Sequence, residues 1–372
     1  MRLVTVGIAV GVVALLGGCA EDSAAPVGVS ADRIRMVQAD LDRAVEDGIT
    51  GMIATLTENG QTVTLTSGVA DIGTRAPIPA EPPQQVRIGS ISKTFVSSVV
   101  LQLVAEGKIR LDEPVDTYLP GVLRGEGIDG RVITVRQILR HQSGLPEFAD
   151  DPRVDEYQAA VDGRIMTPEE QLAITLSKPA DFAPGTRFEY SNSNYLVACM
   201  LVERVTGAPY VDELNRRILR PLALDDTYLP GPGELDIRGP HPKGYADIDG
   251  VVTDVSRIEP SVPGGAGGMV ATGNDLNRFY QALLAGEVVP AAELREMRTG
   301  VPMGQADMNY GLGLDSTHLP CGAEYSGHTG GITGFVTISG ATPDGRAVTY
   351  AYTKSPKAMP DVTTMLSHAL CP

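Results

Sequence analysis

The 372-residue chain has no tryptophan, and with 6 phenylalanines and 12 tyrosines its aromatic content is 5%. An aromatic wall in any binding site must therefore come from tyrosine or phenylalanine, with Tyr310 and Phe148 as candidates. Basic residues are also few: 30 Lys+Arg against 46 Asp+Glu leave a formal charge of −16. That balance excludes a nucleic-acid partner, whose phosphates need a cationic face, and reads as a solvated acidic surface. The 5 histidines and 4 cysteines match no metal-ligand spacing, so no metal or other cofactor is expected. A GxSxG elbow is absent, which argues against an α/β-hydrolase. No repeat of 20 to 50 residues is present.

The chain opens MRLVTVGIAVGVVALLGGCAEDSAAP, with an apolar run from Leu3 to Leu16. This run is shorter than the ~20 residues of a spanning helix and reads as a secretion signal over residues 1–18. Leu16, Gly17, Gly18 and Cys19 resemble the lipobox of bacterial lipoproteins, in which the cysteine is lipidated and becomes the first mature residue. Residues 19–30 then form the lipidated cysteine and a small, polar tether. The expected location is the cell membrane, lipid-anchored and facing outside the cytoplasm. Export permits disulfides. Cys199, inside the apolar run YLVACMLVERV, reads as a buried free thiol, while Cys321 and Cys371, in late loop-like or terminal settings, are expected to pair.

Residues 31–47 have a helical rhythm of apolar positions. GMIATL and QTVTLTSG flank an Asn59-Gly60 turn, GFVTISG and RAVTYAYT flank Pro343-Asp344-Gly345, and a helix closes the chain over 360–370. Hairpins at both ends predict one antiparallel sheet assembled from the two termini. TFVSSVVLQLVAEGK, ITVRQILRHQSG, TPEEQLAITLSK, SNYLVACMLVERVTG and DLNRFYQALLAG read as helices between them. The fold class is thus α+β (α/β): an antiparallel sheet built from both chain ends, flanked by helices, with a large mainly helical insertion. Within a domain over 31–372, the sheet part is expected at about 31–112 and 269–372 and the helical part at about 113–268, with a cleft where they meet.

The stretch RIGSISKTF places Ser90 and Lys93 three apart, on one side of a helix, while Ser92 points elsewhere. Ser90 also stands at the helix start, where unpaired amides favour negative charge. A serine hydroxyl needs a base, and a partly buried lysine of lowered pKa can serve. Two further segments carry polar groups beside turns: EYSN with Tyr190, Ser191 and Asn192, and GHTGG, read as a turn, with His328, Thr329, Gly330 and Gly331.

GSISKTF, EYSN and GHTGG, in this order, resemble the three motifs of the serine β-lactamase and penicillin-binding superfamily. EGKIRLDEPVDTYLP, ITVRQILRHQSGL, ILRPLALDDTYLP and YGLGL also resemble class C β-lactamase-like proteins, so the likeness runs from about Ile34 to Cys371. It is nearest to the secreted D-alanyl-D-alanine carboxypeptidases of actinomycetes, and implies a β-lactamase/transpeptidase-like fold. By position it makes Ser90 the nucleophile that forms an acyl-enzyme, with Lys93 and Tyr190 sharing the removal of its proton. Tyr190 would act as a base only if cationic neighbours, Lys93 and His328, stabilise its phenolate. Asn192 would hold Lys93 and the substrate amide, Thr329 and Gly330 would line the substrate, and the Ser90 and Gly331 amides would form the oxyanion hole. His141, at a helix end in RHQSGL, is given a structural role, satisfying carbonyl groups.

Three departures matter. Class C β-lactamases usually carry lysine where His328 stands, so strong β-lactamase activity is not expected, and a histidine there would make activity sensitive to pH near neutrality. The carboxypeptidase branch holds its substrate's terminal carboxylate with a hydroxyl residue after the HTG motif and an arginine after YGLGL. Here those places hold Gly331 and Asp315, Ser316 and Thr317. The expectation is a D-alanyl-D-alanine carboxypeptidase-like serine hydrolase acting on a small-molecule or peptide substrate, with peptidoglycan and β-lactams as partners. A β-lactamase-like esterase or weak β-lactamase is the alternative, and a non-catalytic cell-wall-binding lipoprotein the reading from a different class.

Overall fold

Asn59 and Gly60 take the left-handed φ angles of 50° and 75° that a two-residue hairpin demands. They join β1 (Gly51–Glu58) to β2 (Gln61–Asp71) in the computed structural model, which describes residues 28–304, 307–353 and 361–372. The expected signal over 1–18, Cys19 and the tether up to residue 27 lie outside the described residues.

A short β3 (Ala76–Pro77) follows, and six strands come from the other end of the chain: β4 (Val301–Pro302), β5 (Asn309–Tyr310), β6 (Asp315–His318), β7 (Glu324–Ile332), β8 (Phe335–Ala341) and β9 (Ala347–Tyr352). They form one nine-stranded sheet in the order β4-β5-β6-β7-β8-β9-β1-β2-β3. The termini meet where β1 pairs antiparallel with β9, Ala54 opposite Tyr350. The sheet assembled from both chain ends is therefore present.

The segment GHTGG is strand, contrary to the expected turn: Ser326 to Ile332 pair with Phe335 to Ala341, and the reversal comes at Thr333 and Gly334. Its glycines let the strand approach another backbone. A methyl group on Gly330 would collide with the Ile88 carbonyl, and one on Gly89 would sit 2.8 Å from the Gly331 nitrogen.

Two apolar clusters hold the layers together. One lies under α1 (Ala31–Glu46), capped by Ser30, and the closing α7 (Val362–Leu370); it includes Val37, Leu41, Tyr350, Leu366 and Leu370. The other surrounds α2 (Ser92–Ala105), which is apolar or small on every side and buried from Ser92 to Leu101, as a central core helix should be. Phe95 stacks on Phe279 of α6 (Gly273–Leu284) with ring centroids 3.8 Å apart.

α3 (Val135–Leu139) is shorter than the expected ITVRQILRHQSG helix. A Thr134/Gln137 capping box starts it, and His141 in a left-handed conformation, φ 54°, turns the chain away. α4 (Pro168–Leu176) has its own capping box, Thr167 with Glu170, and α5 (Asn192–Thr206) is capped by the Ser191 hydroxyl. Two small hairpins, Arg124–Gly125 with Ile128–Asp129 and Tyr245–Ile248 with Val251–Asp254, lie between residues 113 and 268 and had no clear strand pattern in the sequence.

Cys321, in the turn between β6 and β7, is bonded to Cys371, just past α7, and so ties the last helix to the sheet. Cys199 is a free thiol, half-buried rather than fully enclosed, because it lines a cleft. The Cys321–Cys371 bond closes a 50-residue separation, for which chain entropy gives about 4 kcal/mol of stabilisation. The Cys321→Ala/Cys371→Ala protein is expected to lose roughly that much in urea unfolding, and an unchanged midpoint would contradict it.

Candidate active site

A two-stranded ladder, Gln85–Arg87 with Val270–Thr272, leads the chain to Gly89. Gly89, with φ 51°, opens a single 3-10 turn, Gly89–Ile91, that carries Ser90 and runs into α2. The Ser92 hydroxyl donates to the Gly89 carbonyl at 2.7 Å and accepts from the Met269 amide, so it is a brace rather than a second nucleophile.

Lys93, one turn on, has no exposed surface. Its Nζ has three partners: Ser90 Oγ at 2.9 Å, Asn192 Oδ1 at 2.7 Å and the Ala266 carbonyl at 2.8 Å. Burial lowers its pKa to about 7, against an opposing pull from Glu147. A neutral amine has two protons to donate and one lone pair. The Asn192 and Ala266 oxygens can only accept, so the lone pair falls to Ser90, the one partner with a proton to give. This arrangement can deprotonate the serine.

Asn192 is oriented by Glu147, whose Oε2 accepts the Asn192 amide at 2.7 Å and its Nδ2 at 3.0 Å. Glu147 and the Ala266 carbonyl were missed in the sequence. The latter is a backbone atom with no residue signature, and the former is one acid of many in a loop.

Tyr190 points its hydroxyl into the same region. That oxygen is buried with no hydrogen-bond partner among the described residues. Burial drives its pKa well above the ordinary value, and the nearby Ser90 hydroxyl opposes this only in part. Lys93 Nζ stands 5.0 Å from the ring centroid. Tyr190 thus keeps its proton at neutral pH and can give one up to a leaving group; the expected phenolate base is not supported.

His328 is on β7 but faces inward, 3% exposed, with Nε2 on the Tyr310 hydroxyl at 3.1 Å and Nδ1 on the Thr329 carbonyl at 2.7 Å. Burial first, then the Lys93 charge, lowers its pKa to about 3. It therefore lends Tyr190 no positive charge and does not titrate near neutrality, against both expectations. His141 is likewise buried and neutral, but its Nδ1 accepts from the Ser191 and Asn194 nitrogens rather than serving carbonyls.

A pocket of about 190 Å³ opens on Ser90, lined by Phe148, Glu156, Asn192, Pro263, Gly267, Gly331 and Ile332 among others. The Ser90 and Gly331 backbones meet at its floor, since a methyl group on Gly330 would stand 2.9 Å from the Ser90 nitrogen. Gly331 and Asn192 are thus brought to the nucleophile. Gly330 packs behind it, and Thr329 lies on the exposed face of β7 outside the pocket lining. Phe148 supplies an aromatic wall; Tyr310 is fully buried and does not.

Among the described residues no lysine or arginine lines this pocket. Asp315 is 4% exposed beneath the sheet with Oδ1 unpartnered, and burial raises its pKa to about 7, so it cannot replace a carboxylate-binding arginine. Behind the Pro263–Ala266 strip lies an apolar cleft of about 320 Å³ that includes Cys199, Met200 and Leu229.

The chain is similar to known proteins along most of its length. The family model described as Beta-lactamase matches residues 34–370. The solved structure of a D-stereospecific amidohydrolase from Streptomyces sp. is 37% identical, with a TM-score of 0.81 over 91% of this chain and 98% of that one. Esterase EstB of Burkholderia gladioli is 28% identical over 67% of this chain and 69% of its own, and a putative penicillin-binding protein, PbpX, of Bacillus subtilis is 25% identical over 82% and 70%.

Because Lys93 must be neutral to take the Ser90 proton, labelling of Ser90 by a fluorophosphonate should fall about tenfold per pH unit below about pH 7 and level off above it. Lys93→Met should slow labelling by about 10²- to 10⁴-fold. A rate independent of pH between about 5 and 8 would contradict the assignment.

Proposed function

Since the chain belongs to the Beta-lactamase family of serine hydrolases, we propose that it is an exported amidohydrolase that cleaves small D-amino-acid amides or peptides through an acyl-enzyme on Ser90. The observation that carries the reading is the Lys93 amine, whose one proton-bearing partner among the described residues is the Ser90 hydroxyl. Ser90 attacks the carbonyl as Lys93 takes its proton. The Ser90 and Gly331 amides face the developing oxyanion. Tyr190 gives its proton to the leaving nitrogen and recovers one from the Lys93 ammonium. Water, entering where the amine left, gives a proton to the neutral Lys93 and attacks the acyl carbon; the ester bond to Ser90 Oγ then breaks, releasing the acid as Lys93 returns the proton to the serine.

The substrate side favours an amide without an obligatory terminal carboxylate. The lining of the Ser90 pocket contains, among the described residues, Glu156 and no cation, and a buried carboxylate without a partner is costly. The identity with a D-stereospecific amidohydrolase supports the same direction. Carboxypeptidase activity on peptidoglycan stem peptides is therefore placed second, and ester hydrolysis or weak β-lactam turnover third. A non-catalytic binding protein would have no use for a neutral base beside a serine.

Export and a lipid anchor rest on the apolar run and the Leu16–Cys19 segment, and a disulfide between Cys321 and Cys371 suits an oxidising compartment. Radiolabelled palmitate should enter the wild-type chain and not Cys19→Ser.

The central test is a rate panel of D-phenylalanine amide, its L-enantiomer, a D-alanyl-D-alanine peptide, a chromogenic cephalosporin and short acyl esters, with Ser90→Ala alongside. The D-amide should lead the dipeptide in kcat/KM by at least about tenfold, the worth of roughly 1.4 kcal/mol. A faster D-alanyl-D-alanine peptide would restore the carboxypeptidase reading, and no Ser90-dependent turnover at all would remove the enzyme.

A further inference from the structure

His141, Tyr310 and His328 form a line of hydrogen bonds whose direction is determined independently from each end. At one end the Ser191 backbone nitrogen, 3.2 Å from His141 Nδ1, can only donate. The Asn194 side-chain nitrogen donates to the same atom at 3.2 Å. Nδ1 of His141 is therefore an acceptor, and in the neutral ring the proton resides on Nε2. At the other end the Thr329 carbonyl, 2.7 Å from His328 Nδ1, can only accept. His328 thus carries its proton on Nδ1 and offers a lone pair at Nε2.

The two halves meet at one hydroxyl. Tyr310 Oη lies 3.1 Å from His141 Nε2 and 3.1 Å from His328 Nε2. It must accept from the first and donate to the second, and a hydroxyl can do both. No other assignment with neutral rings satisfies every atom. The line begins in the segment that carries Tyr190 and Asn192, and it ends in the strand that carries Gly331. His141 also supports Tyr190 directly, with ring centroids 4.2 Å apart and planes 30° from parallel.

We propose that Tyr310 is a positioning residue of the hydrolytic site: its hydroxyl joins the Tyr190–Asn194 segment to β7 and holds His141 and His328 each in a single tautomer. The proposal rests on Ser90 being the nucleophile. Tyr310 itself touches no substrate, since it is fully buried and outside the lining of the Ser90 pocket. Its role is to fix the distance between the proton-donating phenol on one wall and the oxyanion amide on the other. Misplacing such groups by about 1 Å can cost 10²-fold in rate.

Every group packed against Tyr310 fits this reading. Phe188 and Tyr190 meet it at centroid distances of 5.4 and 6.3 Å. Burial first, then Tyr195, Tyr190 and Asp315, disfavours its phenolate, so it stays a hydroxyl. Tyr195 donates its own proton to the Leu139 carbonyl at 2.9 Å. Lys93 lies near enough to oppose protonation of both imidazoles.

Tyr310→Phe keeps the ring and removes the link. His141 Nε2–H then loses its acceptor and His328 Nε2 its donor. In this variant kcat for the best substrate should fall about 10- to 100-fold while KM stays within about threefold, and the pH profile of kcat should gain an ionisation between about pH 5 and 7 as a released imidazole titrates. Imidazole ¹⁵N spectra of the wild-type protein should show Nδ1–H for His328 and Nε2–H for His141, with neither titrating between about pH 5 and 8. Mixed tautomers or titration in the wild type would overturn the proposal even if the variant fails to fold. So would a folded Tyr310→Phe enzyme with unchanged kcat and pH profile, or one that loses only thermal stability. If instead the wild type forms no adduct at Ser90 with a fluorophosphonate, the hydrolase reading fails, and the positioning role proposed for Tyr310 falls with it. The spectra then still report whether the line of hydrogen bonds exists.

Discussion

The Lys93 amine is held away from water between the Ala266 carbonyl and the Asn192 side-chain oxygen, and neither partner carries a negative charge. An ammonium in that place would lack the ion pair that normally repays the several kcal/mol lost on desolvation. Glu147 is the nearest compensation, and it reaches Lys93 only through Asn192. The neutral amine is therefore accessible at physiological pH, and the remaining architecture preserves this condition. α2 is buried on all sides, α5 begins at Asn192, and the Gly264–Gly267 turn offers its carbonyl without a bulky side chain.

The same desolvation acts on the two histidines and on Tyr190, and it pushes each toward its uncharged form. Lys93 becomes a cation only when it takes the Ser90 proton. Beside it, oriented dipoles stabilise the oxyanion: the Ser90 and Gly331 amides and the first turn of the helix that follows Ser90. These cost no reorganisation during reaction, and they explain why β7 approaches Gly89 so closely that Gly330 tolerates no side chain.

Much of this was legible in the sequence where a local rule applies. Asn59-Gly60 and Gly345 marked hairpins because few residues accept their left-handed φ angles, and the three-residue spacing of Ser90 and Lys93 placed both on one helical face. Where the reading failed, the deciding atoms were distant in sequence or belonged to the backbone. Ala266 acts through its carbonyl, and Glu147 and Asn192 are 45 residues apart. His328 looked like a potential cation because its burial against Tyr310 depends on tertiary packing alone. The GHTGG strand read as a turn because glycine signals freedom, whereas here it permits close approach.

Acylation and specificity are carried by different parts of the molecule. The parts that activate Ser90 are backbone atoms, a buried amine and hydrogen bonds without slack, so they tolerate little variation. The walls that would meet a substrate are Phe148, Glu156, Val262, Pro263 and Ile332, side chains on loops, a helix start and a strand end. Changing Glu156 or Ile332 alters what fits without touching a group that holds Lys93. Pro263 and Phe148 stand between the Ser90 pocket and the apolar cleft behind it, and line both. A larger side chain on that partition would press on the strip whose Ala266 carbonyl holds the base. Residues Pro263 to Gly267, like Asn192, thus couple substrate fit physically to the protonation of Lys93.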